Sequence, residues 1–225
     1  MPSFDIIKKN NVNVTYRVAR IMSDFDVKKE HVGERFTGEI NLPEKWQIGL
    51  IYGKSGTGKT TIARTLFADK YYTEKQFGEN AVIDEMPQKC SVEEIEKMFY
   101  AVGFGSVPSW LKPYNVLSQG EKMRIQIADA LLNNDFVVFD EYTSVVDRNV
   151  AQTTSVAINK AIRHTNKKFI AVTCHADVLE WLQPDWAFNT DKMKMSFQSA
   201  HVLKKNLKSE NVGEKHGKCL GVIII

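Results

Sequence analysis

Residues 53–60 read GKSGTGKT, a full match to the pattern G-x-x-x-x-G-K-[ST]. Gly53, Gly56 and Gly58 suit a loop in which the backbone N–H groups of Lys54, Ser55, Thr57 and their neighbours turn inward as an anion nest. A helix beginning near Lys59 would point the positive end of its dipole at the same anion. Lys59 would place a mobile cation on the β- and γ-phosphates, and the Thr60 hydroxyl would ligate Mg²⁺, with Thr61 next in the same helical turn. A glycine-rich turn without a ligand is the alternative. Context decides between them: the apolar run WQIGLIYG leads into the loop, and KTTIARTLFADK leaves it with Ile62, Ala63, Leu66 and Phe67 on one helical face. The expectation is a site for a nucleoside triphosphate and Mg²⁺.

Five more positions carry chemistry that such a site needs. The run FVVF places Asp140 and Glu141 at the carboxyl end of a strand, the edge where ligands sit in open α/β sheets. Asp140 would hold Mg²⁺ through water, and Glu141 would orient or deprotonate an attacking water; two acids at a strand end also suit the start of a turn. Gln88 closes the segment NAVIDEMPQ and would bring an amide to metal and water, although a loop glutamine equally reads as polar surface. His175 follows KFIAVTC and would reach the γ-phosphate, or sit solvated in a loop. Finally, Ser118 in LSQGE is followed three residues later by Glu121, which fits a capping box at a helix start.

These positions need a sheet to hold them. Strand-like runs are expected at FDII and TYRVARIM within residues 4–26, at Gly33–Pro43, at 46–53, at 80–88, at DFVVFDE and at KFIAVTCH. Helices are expected after the phosphate loop, over 91–103, after LSQGE, over 147–165 and at ADVLEWL. Strands alternating with helices define an α/β fold with a mainly parallel sheet. At 225 residues the chain suffices for one large domain or at most two small ones. Net charge is +3, from 30 Lys+Arg against 27 Asp+Glu, too balanced to argue for nucleic acid by itself. Cys90, Cys174 and Cys219 lack metal spacing and suit a reducing compartment. No run of about 18 apolar residues and no signal-like leader occur, so a cytoplasmic protein without membrane insertion is expected.

Taken in order, the phosphate loop, the Gln88 loop, LSQGE, VVFDE, SVVD and TCH resemble the nucleotide-binding domain of ATP-binding cassette (ABC) ATPases, over about residues 35 to 190. The resemblance implies a P-loop NTPase fold of ABC type, with an N-terminal antiparallel β subdomain. It implies ATP and Mg²⁺ as cofactors and hydrolysis of that ATP. It also implies a head-to-tail homodimer, with Ser118 Oγ and the Gly120 N–H reaching the γ-phosphate held by the other copy. Phe25, with Tyr16 second, stands where such proteins place an aromatic residue against adenine, and either also reads as core. Two departures mark this chain: Gln119 stands where the family has glycine, and Glu121 where it has glutamine. Only 58 residues separate Lys59 from Ser118, so a reduced helical subdomain is expected. The segments GFGSVPSWLKPYNVLSQGEKMR, DEYTSVVDRNVA and VTCHADVLEWLQPDWAFNTD look closer to a soluble ABC group often joined to an N-acetyltransferase-like domain, so a separate partner of that kind is one expectation. The division expected is an ATPase domain over 1–202 and a basic tail over 203–225. The leading expectation is a soluble, dimerising ATPase that drives a conformational or regulatory step. A transporter subunit, or a nucleic-acid-associated repair-type ATPase using the tail lysines, are the alternatives.

Overall fold

The computed structural model describes residues 3–8, 13–26 and 34–197. The tail over 203–225 and the rest of the first 33 residues lie outside them. A five-stranded sheet in the order β4-β5-β3-β6-β7 forms the centre. Its members are β3 (Ile48–Tyr52), β4 (Phe136–Phe139), β5 (Lys168–Thr173), β6 (Trp186–Asn189) and β7 (Lys194–Phe197). The first four run parallel and β7 returns antiparallel to β6. A separate antiparallel ribbon pairs β1 (Ser3–Lys8) with β2 (Glu34–Glu39).

Side chains alternate across a strand with period two, and the core follows that rule. Ile48, Leu50, Val137, Phe139, Phe169 and Ala171 face one side of the sheet. There they meet α3 (Val92–Ala101), α5 (Gln119–Asn133), α6 (Arg148–Arg163) and α7 (Val178–Leu182). Ile51, Val138, Ile170, Val172 and Phe188 face the other, against Ile62 and Ala63 of α2 (Lys59–Leu66) and Phe4 and Phe36 of the ribbon. Strands buried on both faces read as continuous apolar runs, as β3 does. Each fully buried Ile, Leu or Phe contributes about 1.5–3 kcal/mol. The helical subdomain is small, built from α3, the one-turn α4 (Val107–Trp110) and the start of α5.

Three sequence expectations differ from the structure. TYRVARIM is not a strand: Tyr16–Asp24 is a helix, α1, with Thr15 as its N-cap accepting from the Val18 N–H. A capping threonine and the i,i+4 pair Arg20–Asp24 outweigh the β-branched content. The second strand expected over 80–88 is absent. Val82 and Met86, four apart, are both buried, and tight turns close between Ala81 and Asp84 and between Ile83 and Met86. The sheet edge beside β4 is already taken, since Tyr71 bridges Val138 in parallel and the Tyr72 N–H donates to the Val138 carbonyl at 2.9 Å. Finally, β6 and β7 were not expected; each is four residues long, too short to show a clear period.

Candidate functional site

The loop from Gly53 to Gly58 leaves the carboxyl end of β3 and feeds α2. Gly56 and Gly58 sit at φ +84° and +83°, where a side chain would be strained. Gly53 is needed for space: a Cβ there would lie 2.2 Å from Thr190 Oγ1. Gly58 is the N-cap of α2 and offers no side-chain cap. The first-turn N–H groups of the helix, at Lys59, Thr60 and Thr61, are therefore suited to an anion. Lys54 and Ser55 are exposed on the loop, with Thr60 and Thr61 half-buried behind them. Lys59 Nζ folds over the loop and donates to the Lys54 carbonyl at 2.7 Å.

The turn between β6 and β7 keys this loop in place. Thr190 Oγ1 lies 2.6 Å from Thr57 Oγ1, and Thr57 Oγ1 also donates to the Lys54 carbonyl at 2.8 Å. The Lys54 N–H donates to the Asp191 carboxylate at 3.0 and 3.2 Å. Sequence reasoning missed Thr190 and Asp191. Nothing local marks them, because the β6–β7 hairpin whose turn carries them was itself not foreseen.

Asp140 and Glu141 follow β4 directly. Asp140 Oδ1 accepts the Glu141 N–H at 2.8 Å and Oδ2 accepts the Tyr71 hydroxyl at 2.5 Å. Glu141 and Thr143 are left-handed, at φ +50° and +66°, a strained turn of the kind that collects at functional sites. The Glu141 carboxylate accepts from Ser144 Oγ at 2.6 Å and is otherwise exposed. A cleft of about 360 Å³ joins Thr60 to this turn, with Arg64, Tyr71, Thr73, Glu74, Asp140 and Glu141 among its walls. Burial, and then the Asp140 carboxylate, push the Tyr71 phenol up to about 12, so it is a donor throughout the physiological range.

Gln88 is not in this cleft. Its side chain is exposed and donates to the Asp84 carbonyl at 3.2 Å. The segment Tyr71–Glu74 lines the place beside β4 that a strand ending in Gln88 would have taken. His175 is half-buried after β5 and linked to the turn behind Glu141: its Nδ1 lies 3.1 Å from Thr143 Oγ1, and its N–H donates to Thr173 Oγ1 at 3.1 Å. Phe25 and Tyr16 are not core. Both are exposed, at 72% and 79%, on a helix with no buried residue.

Ser118 is the N-cap of α5, and the capping box is complete. Ser118 Oγ accepts the Glu121 N–H at 3.3 Å, and the Ser118 N–H donates to Glu121 Oε2 at 2.9 Å. The Ser118 hydroxyl also donates to the same carboxylate at 2.8 Å. Burial works to raise the Glu121 carboxyl, but the Ser118 N–H and the Ser109 and Ser118 hydroxyls together hold it below its ordinary range. Gly120 is required by packing, since a Cβ would meet Val150 of α6 at 2.8 Å. Ser118 and Gln119 are exposed and do not line the cleft of their own chain.

A mainly parallel sheet with a glycine-rich phosphate loop between its central strand and the next helix defines a P-loop NTPase fold. Within that class the fold is similar to that of solved ABC nucleotide-binding domains. It is similar to cbiO1 from Clostridium perfringens, part of the ABC transporter complex cbiONQ, with TM-score 0.61 and 17% identity over 93% of each chain. MJ1267, an ATP-binding cassette of an ABC transporter, matches at TM-score 0.59 and 15% identity, over 79% of this chain and 90% of that one. The cassette MJ0796, a dimer in a post-hydrolysis state with ADP and Pi, matches at 0.54 and 13%, over 69% and 87%. A bacterial Atm1-family exporter with ATP bound also matches, at TM-score 0.54 and 19% identity; the match spans 37% of that longer chain. No protein-family profile and no curated protein sequence matches. The likeness is one of fold.

Proposed function

We propose that this chain is an ABC-type ATPase: it binds Mg-ATP, dimerises head-to-tail around it, and hydrolyses it to drive a conformational or regulatory step. One observation carries the reading. The phosphate loop, Asp140 and Glu141 converge on one edge of the sheet, with Thr60, Asp140 and Glu141 sharing a single cleft. The donors there are oxygens, which suits Mg²⁺, a hard cation that takes one or two carboxylates and leaves its other positions to phosphate and water. Among the described residues no group of three His, Cys, Asp or Glu forms a denser metal cage.

In this reading the loop N–H groups and Lys59 bind the β- and γ-phosphates, and Thr60 and Asp140 hold the Mg²⁺. When bound, Mg²⁺ neutralises charge developing on the phosphate oxygens. Glu141 takes a proton from water as its oxygen bonds to the γ-phosphorus and the bridging P–O bond to ADP breaks. His175, steadied by Thr143, is assigned to the γ-phosphate. Ser118 Oγ and the Gly120 N–H of a second copy complete the site. The exposure of Ser118 supports that assignment, because the residue is presented outward. Phe25 is kept as the adenine contact, and its exposure is compatible with stacking. Gln88 retains a proposed metal and water contact only if its loop moves, so it stands below Tyr71 and Glu74 as a contributor. No helix among the described residues is long and apolar enough to cross a membrane. The reduced helical subdomain alone is what favours a soluble machine over a transporter subunit in this reading. An acetyltransferase-like or other protein partner, and nucleic acid, are separable by pull-down and by salt-dependent binding.

Glu141→Gln tests the proposal. It should keep Mg-ATP binding, cut hydrolysis by about 10²-fold or more through loss of the base, and trap a dimer in ATP. Wild-type turnover in that variant would move the catalytic role elsewhere.

A further inference from the structure

Tyr71 belongs to no motif of the sequence, yet it makes the most direct side-chain contact to Asp140. Its position follows from strand geometry. Tyr71 bridges Val138 in parallel, and the Tyr72 N–H donates to the Val138 carbonyl, so this segment runs along the outer edge of β4. Val138 and Asp140 are two apart and face the same side of the strand. That side is covered by α2, and Tyr71 packs there against the buried cluster of Ile62, Ala63 and Val138. The Arg64 guanidinium lies over the Tyr71 ring at 4.6 Å and closes its far face. The phenol therefore has little room to turn away from the carboxylate.

Asp140 is held at both oxygens. Oδ1 accepts the Glu141 N–H and Oδ2 the Tyr71 hydroxyl, at 2.8 and 2.5 Å. An ionised carboxylate has about four acceptor sites, so two donors fix its plane and leave the others for a metal or its water. Hydrogen bonds of this kind set the orientation of ligating carboxylates. We propose that Tyr71 is a positioning residue for the metal: through its hydroxyl it fixes the Asp140 carboxylate in the orientation that receives Mg²⁺ beside the Thr60 hydroxyl. The inference rests on the Mg-ATP reading above and deepens it. It also accounts for the cleft's composition, in which Tyr71–Glu74 line the wall that Gln88 does not reach.

The test is a titration of Mg²⁺ into the full chain holding a β,γ-imido ATP analogue, followed by calorimetry, for wild type, Tyr71→Phe, Asp140→Asn and the double variant. Phenylalanine keeps the ring under Arg64 and within the core, so the fold is preserved. Tyr71→Phe should weaken Mg²⁺ binding by about 10-fold, within the range for loss of such outer contacts. Analogue binding in EDTA should not change. In the Asp140→Asn background Tyr71→Phe should add nothing, because the two changes remove one interaction. Unchanged or tighter Mg²⁺ binding in Tyr71→Phe overturns the inference. So does an equal loss in the Asp140→Asn background. Failure of the wild type to bind the analogue with any Mg²⁺ dependence refutes the underlying ATPase reading instead.

Discussion

Lys59 opens α2, and its ammonium is turned back over the preceding glycine-rich loop, on the Lys54 carbonyl at 2.7 Å. That single exposed bond holds little of the fold, so Lys59→Ala should leave the melting temperature near wild type while removing measurable ATP binding, since the cation at the β/γ-phosphates is gone. Calorimetry with ATP decides it, and undiminished affinity would end the phosphate-loop assignment. Gly53 to Thr60, Asp140 and Glu141 were legible in the sequence because each set is contiguous, and their residue types carry the chemistry. Thr190, Asp191 and Tyr71 were not. They reach the site only through strand pairing that no local pattern declares, Asp191 meeting Lys54 across 137 positions. Gln88 shows the converse: a suggestive residue at a plausible spacing was placed on a strand that does not form.

At the scale of elements, strand β3 is fastened at its start by Asp185. Its carboxylate accepts the N–H groups of Gln47 and Ile48 at 2.8 and 3.0 Å and pairs with Arg163 at 2.8 Å. Burial works to raise the Asp185 carboxyl, but Arg163 and the two N–H groups outweigh it and hold the group below its ordinary range. A depressed carboxyl stabilises the fold fully above the unfolded value of about 3.9, and that contribution is lost as pH falls through the lower folded value. Asp185→Asn should therefore cost about 1 kcal/mol at pH 7, discounted for partial exposure. The gap from wild type should hold down to about pH 5 and close as pH falls below about 4. Urea denaturation across that range measures it, and a gap that persists unchanged in acid would contradict this role. The long helices and the buried strands β3, β4 and β5 were legible because their apolar periods are unambiguous. The helix at 16–24 was not, since Tyr, Val and Ile there favour strands until the Thr15 cap is weighed.

Across the whole molecule, the segment after α2 ties the cleft to the LSQGE helix. Tyr71 holds Asp140, while the hydroxyl of its neighbour Tyr72 shares its one proton between Gln126 Oε1 at 2.8 Å and Asp129 Oδ2 at 3.0 Å, both residues buried on α5. Lys75 adds an ion pair to Asp129 at 3.6 Å, and its N–H donates to Gln126 Oε1 at 3.0 Å. Buried polar groups with this many partners form a stiff connection. Ser118, at the exposed start of the same helix, is thus joined through this network to the Asp140 side of the cleft, and the proposed shared site would present it to a second copy. The most direct measurement of a shared site mixes two inactive variants. Ser118→Arg should spare ATP binding by the single chain but block closure of the sandwich, and Lys59→Ala should lack nucleotide at its own loop. In a mixed dimer one composite site joins both defects, and the other joins an intact loop to an intact Ser118. ATP hydrolysis should reappear on mixing, dependent on protein concentration. Two folded variants that form mixed dimers and show no recovery would contradict the account.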